Sequence, residues 1–224
     1  MKNTRKRPVR KEKDETMNSK ATRILLRGLF AALMVSAVFA GSAGAAPAWK
    51  FESKSLEGSE TILGGAFESA LTVPGLTTKC ENFLYKLTIS NSKSGTGEGS
   101  LTELPLYNCT TSSKACTVEA IAAEKLPWAS HLTTVSTSSY IVIEGVKVGI
   151  LYGGEECALF ETLATVTGSA GGLIDNTAET ATFNSSSFSA TKTALKALGS
   201  TIEWTGVFPT EAFEWHREQA LTAS

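Results

Sequence analysis

Few residues in this chain can do chemistry, and their types narrow what that chemistry could be. Histidine occurs twice, as His131 and His216. A general base would have to be one of these or a glutamate. His131 directly follows Ser130. A nucleophilic serine must reach the imidazole across space, with a third group orienting the ring, so adjacency argues against a catalytic pair. Beyond residue 45 the single aspartate is Asp175, and Asp175-Asn176 reads as turn chemistry. No Gly-x-Ser-x-Gly elbow is present. Gly168 to Gly172 reads instead as a flexible strand connection. Gly95 to Gly99 lacks the Gly-Lys-Ser/Thr ending of a phosphate loop, and Glu98 within it would repel phosphate.

Glutamate is the one catalytic type in supply. Glu155-Glu156 sits beside Cys157, and Glu161 follows. Two carboxylates about 5–10 Å apart across a cleft can hydrolyse a glycosidic bond. That keeps a secreted glycan hydrolase as an alternative reading, although 18 glutamates beyond residue 45 make chance pairs common. Calcium sites draw on dense aspartate and asparagine, and aspartate is nearly missing. The cysteines lack the paired Cys-x₂₋₄-Cys knuckles of a thiolate metal centre. No catalytic, cofactor or metal residue is therefore assigned. Trp49, Trp128, Trp204 and Trp215 could form a sugar-stacking platform, but such residues more often pack in a core or at its rim.

The elements that would have to position these groups begin with an export signal. Lys20, Arg23 and Arg27 make a positive segment, and Gly28 to Ala40 is apolar. Ala43-Gly44-Ala45 then offers the small residues a signal peptidase needs. The order predicts a leader over 17–45, cut between Ala45 and Ala46, because a cut after Ala46 would leave Pro47 first. The apolar run of about 13 residues falls short of the roughly 20 that span a bilayer. An uncleaved leader tethering the domain to the membrane is the competing reading. Residues 1–16 read as an extension upstream of a start at Met17, or as a long positive segment.

Charge divides the chain at the same point. Ten of the 21 Lys and Arg lie in the first 45 residues, leaving 11 basic against 19 acidic side chains over 46–224, a net charge of −8. A nucleic-acid partner needs a basic face, so none is expected. Cys80, Cys109, Cys116 and Cys157 all lie in this part. An even count in an exported chain predicts two disulfides. Four cysteines allow three pairings. The short polar loop between Cys109 and Cys116 favours that pair, leaving Cys80 with Cys157.

Strand patterns dominate 46–224. Tyr85, Leu87 and Ile89 alternate with polar residues, as do Val146, Val148 and Ile150. Ile202, Trp204 and Phe208 share a face. Cys157 to Thr167, with Leu159, Phe160, Leu163, Ala164 and Val166, reads as a strand buried on both faces. Turns are expected at Gly64-Gly65, Pro74-Gly75, Asn91 to Gly99, Gly153-Gly154, Gly168 to Gly172, Asp175-Asn176 and Asn184 to Ser187. Lys192 to Leu198 and Pro209 to Leu221 read as short helices. The sum is one all-β sandwich or barrel-like domain, stapled by two disulfides.

Cys80, Tyr107-Asn108-Cys109, Cys116-Thr117-Val118, the Gly-Gly-x-x-Cys segment ending in Cys157, and Val166-Thr167-Gly168-Ser169 fall in an order that resembles uncharacterised secreted proteins of soil actinobacteria. The resemblance spans roughly residues 80–176. It implies a secreted, cysteine-bridged β domain and carries no catalytic residue. The expected role is a secreted or envelope-associated binding or structural protein, meeting a signal peptidase during export and a cell-wall glycan or surface protein afterwards.

Overall fold

The computed structural model describes residues 46–51, 54–66, 69–159, 161–214 and 217–223. The expected leader over 17–45, residues 1–16, Phe160, Trp215 and His216 lie outside the described residues.

Alternating apolar and polar side chains give strands with one face to bury, and here the strands close a ring. β4 (Ser69–Val73) pairs with β5 (Leu76–Asn91), β5 with β6 (Gly97–Glu103), and β6 with β9 (Trp128–Val135). β9 pairs with β10 (Ser138–Gly153), β10 with β11 (Leu163–Asp175), and β11 with β12 (Thr180–Phe183). β12 pairs with β14 (Ser200–Pro209), and β14 returns to β4. Every pairing is antiparallel. The result is a closed barrel of eight strands, a size whose interior side chains can fill. β13 (Leu195–Ala197) also bridges β11 and β14. Between β12 and β13 stands the single described helix, α1 (Ser185–Thr191).

Three further strands extend the ring. β3 (Ser59–Ala66) lies along the second half of β5, and β7 (Leu106–Thr111) along its first half. β8 (Thr117–Ala123) pairs with the second half of β10. A small sheet joins the ends of the domain: β1 (Trp49–Phe51) pairs with β2 (Lys54–Ser55) and with β16 (Arg217–Ala223), which pairs with β15 (Glu211–Glu214).

The predicted alternations hold in β5, β10 and β14: Tyr85, Leu87, Ile89, Val146, Val148, Ile150, Ile202, Trp204 and Phe208 are all buried. Phe83, Tyr85, Phe183, Trp204 and Phe208 form one aromatic cluster with ring centroids 4.6–5.8 Å apart. Each such side chain contributes roughly 1.5–3 kcal/mol by leaving water. The Trp204 indole donates to the Ser69 hydroxyl at 2.7 Å, so its one polar atom is satisfied in the core.

Several local expectations are corrected. The segment read as the helix Lys192 to Leu198 is instead a helix end followed by β13. Lys192 takes a left-handed conformation (φ 55°) at the C-cap of α1, and Leu195 and Ala197 are buried around exposed Lys196, a period of two that a helix cannot supply. Pro209 to Leu221, read as a helix, holds the hairpin β15–β16, whose second strand is recruited by β1. Asn184 to Ser187, read as a turn, starts α1. Asn184 accepts from the Ser187 backbone N–H while the Ser187 hydroxyl accepts from the Asn184 N–H, a capping box.

Glycine misled twice. Gly64-Gly65 lies inside β3, where a Cβ on Gly64 would stand 2.2 Å from the Tyr85 ring. Gly168 to Gly172 runs within β11, not in a connection. The strand expected from Cys157 begins only at Leu163, and it is not buried on both faces: Ala164 and Val166 are inside, whereas Leu163 is 58% exposed.

Candidate functional site

Catalytic constellations are best judged by where the folded strands aim their side chains. Ser130 and His131 point to opposite faces of β9. Ser130 is buried, its hydroxyl without a hydrogen-bond partner, while the His131 side chain is partly exposed with Nδ1 3.7 Å from Glu144 Oε1. Asp175 belongs to the β11–β12 turn. Its carboxylate accepts from the Thr177 and Ala178 N–H groups, which holds its pKa below the usual carboxylate value. The three residues are not brought together. Glu155, Glu156 and Glu161 are exposed in the β10–β11 connection. Trp49, Trp128 and Trp204 are core residues rather than a surface platform. Among the described residues no cluster of three His, Cys, Asp or Glu could hold a metal ion.

Among the described residues the cavity inside the barrel is small. A cavity of about 20 Å³ is lined by side chains from around the ring, among them Leu71, Phe83, Trp128, Val148, Val166 and Trp204. That volume holds about one water, and its lining is almost wholly apolar. Sites for drug-sized ligands run to roughly 300–1,000 Å³.

Two features are built with more care. The first joins the ends of the domain. Trp49 and Ala223 face each other across β1 and β16. The Asn91 side chain accepts from the Trp49 N–H at 2.8 Å and donates to the Trp49 carbonyl at 3.0 Å. Asn176 does the same for Ala223, at 3.0 and 2.7 Å. Each amide side chain thus substitutes for a strand neighbour. Asparagine at a strand end or turn was the only sequence signal for this clamp, and it reads equally well as ordinary turn chemistry.

The second feature is a break in the barrel wall. β7 pairs only with β5 and β8 only with β10, so among the described residues no ladder joins β7 to β8. The slit lies between the turn at 112–116 and the point where Leu101 meets Trp128 and the ladder resumes. All four cysteines flank it, in disulfides Cys80–Cys109 and Cys116–Cys157. This corrects the pairing favoured by the short loop. Cys80 and Cys109 are register partners on β5 and β7, so the ladder has already placed them side by side. Cys116 precedes β8, and Cys157 follows β10, to which β8 is laddered. Each bond therefore braces one wall of the slit to its single neighbour, whereas Cys109–Cys116 would have bridged it.

A buried polar contact ties the two walls: the Thr78 hydroxyl, on β5, and the Tyr152 hydroxyl, on β10, are 2.8 Å apart. Burial raises the Tyr152 pKa above its ordinary 10.0, and the Thr78 hydrogen bond offsets part of that rise.

The fold and this site define a closed antiparallel β-barrel with an unladdered slit between β7 and β8, flanked by two disulfides. Compared with known proteins, the chain matches no family, no curated protein and no solved structure.

Proposed function

We propose that residues 46–224 are the mature form of an exported protein, which works outside the cytoplasm as a non-enzymatic binding or surface-structure module. The observation that carries this reading is the filled barrel. A described interior cavity of only about one water's volume leaves the outer face as the recognition surface. Two disulfides that use every cysteine support an oxidising compartment. The leader pattern over 17–45 supports the route, and the net charge of −8 over 46–224 disfavours phosphate-rich partners. The first strand, β1, starts at Trp49, three residues past the expected cut, so cleavage at Ala45–Ala46 would free the domain without trimming it.

The test is fractionation of the native host with intact-mass analysis, followed by co-sedimentation of the secreted form with insoluble cell-wall glycan. The expected product starts at Ala46, carries no free thiol and sediments with the wall material. Recovery inside cells with four free thiols would refute the export reading. Membrane-bound protein retaining its leader would favour the tether. Release of reducing sugar from the glycan, lost on substituting Glu155, Glu156 or Glu161, would favour the hydrolase.

A further inference from the structure

We propose that the β7–β8 slit is a gate: this end of the barrel opens as a unit and exposes the apolar interior while the eight-strand ring stays closed. The inference is independent of the functional reading above. Strand order supplies its first ground. Opening between β7 and β8 breaks no ladder hydrogen bond, whereas parting any two neighbours of the eight-strand ring does.

Burial supplies the second. Val118, Ile121 and Ala123 pair with Tyr152, Ile150 and Val148 of β10 and pack against the same core. The three β10 residues are at most 4% exposed, yet their β8 counterparts are only partly buried. Leu106 of β7 and Leu126, after β8, are likewise partly buried while touching the core. The apolar interior already meets solvent along the slit. Leu104, Leu106, Trp128, Val146 and Val148 line the cavity behind it.

The braces supply the third. Both disulfides stiffen the walls, and neither crosses between them. Across the slit run the 112–116 turn, where the Thr111 hydroxyl lies 2.7 Å from the Cys116 carbonyl oxygen, and the buried Thr78–Tyr152 contact. Gly154 lies under this turn, where a Cβ would come 2.2 Å from the Ala115 carbonyl oxygen. A buried polar tie between two braced walls, with the turn at 112–116 closing one end, is the arrangement of a latch.

The test compares the disulfide-bonded protein with its Tyr152→Phe, Thr78→Val and double variants, using amide hydrogen exchange and anilinonaphthalene sulfonate fluorescence. Releasing the latch should speed exchange about tenfold or more in 106–111 and 117–123, leave β4, β11 and β14 unchanged, and raise dye fluorescence. The double variant should match the singles, because each alone breaks the same contact. Equal acceleration in all strands would mean global destabilisation and overturn the gate. So would unchanged exchange in 106–123 in both single variants.

Discussion

Asn91 concentrates more polar bonding than any other single side chain described. Its amide nitrogen lies within 3.0–3.2 Å of the Trp49 and Leu56 carbonyls and the Ser55 hydroxyl, and its oxygen takes the Trp49 N–H. Substituting Asn91→Ala leaves partly buried backbone groups unpaired, at about 1–3 kcal/mol for such a group. A lower urea midpoint with an unchanged slope should report it. Gly64 makes the opposite kind of demand. A methyl there meets the Tyr85 ring, and that ring is pinned because its hydroxyl donates to the Pro209 carbonyl. Gly64→Ala should therefore cost about 1–3 kcal/mol by overpacking, and Gly64→Ala combined with Tyr85→Leu should recover part of that loss. Neither role was legible beforehand. Sequence marks Gly64 as a turn because glycine's commonest use is conformational, whereas here the residue is needed for the absence of a side chain.

At the scale of elements, the alternations were the reliable signal. Tyr85-Leu87-Ile89 and Val146-Val148-Ile150 each bury one face of a long strand, and period two admits no other regular structure. Helices were misread in both directions. Lys192 to Leu198 has helix-forming composition, but β11 and β14 leave a strand-shaped space that Leu195 and Ala197 fill. The actual helix, Ser-Ser-Ser-Phe-Ser-Ala-Thr, has poor propensity and exists through its cap and its packing. Asn184 caps it, and the Ser187 hydroxyl donates to the Gly171 carbonyl at 2.7 Å. Asn184→Ala should cost about 1 kcal/mol and speed amide exchange over 185–191 first. The end of β10 adds a pH dependence. Folding raises the Tyr152 pKa, so the folded state holds that proton more tightly than the unfolded chain. Its contribution is complete below the ordinary 10.0 and is lost as pH climbs through the raised value. Urea midpoints from about pH 9 to 11 should fall more steeply for the wild-type protein than for Tyr152→Phe.

For the whole molecule, ring closure explains what sequence could and could not say about the cysteines. That they would form two disulfides followed from their even number in a chain read as exported. Their pairing did not, because loop length measures proximity along the chain, whereas β5, β7, β8 and β10 set proximity in space. The ladder brings Cys80 against Cys109 from 29 residues away, and Cys116 meets Cys157 across 41. In the chain-entropy model, closing loops of this size stabilises the fold by about 3–4 kcal/mol each. Both bonds also secure strands with one free edge, and free edges are where barrels peel and aggregate. The two bonds should therefore differ from ordinary loop closures in one respect. Replacing Cys80 and Cys109 by alanine should loosen β7 ahead of the ring, and replacing Cys116 and Cys157 should loosen β8. Hydrogen exchange resolved by strand would show this as protection lost first over 106–111 in one variant and over 117–123 in the other. Identical, uniform loss in both would mean that the bonds act only on the unfolded chain and that the slit walls do not need them.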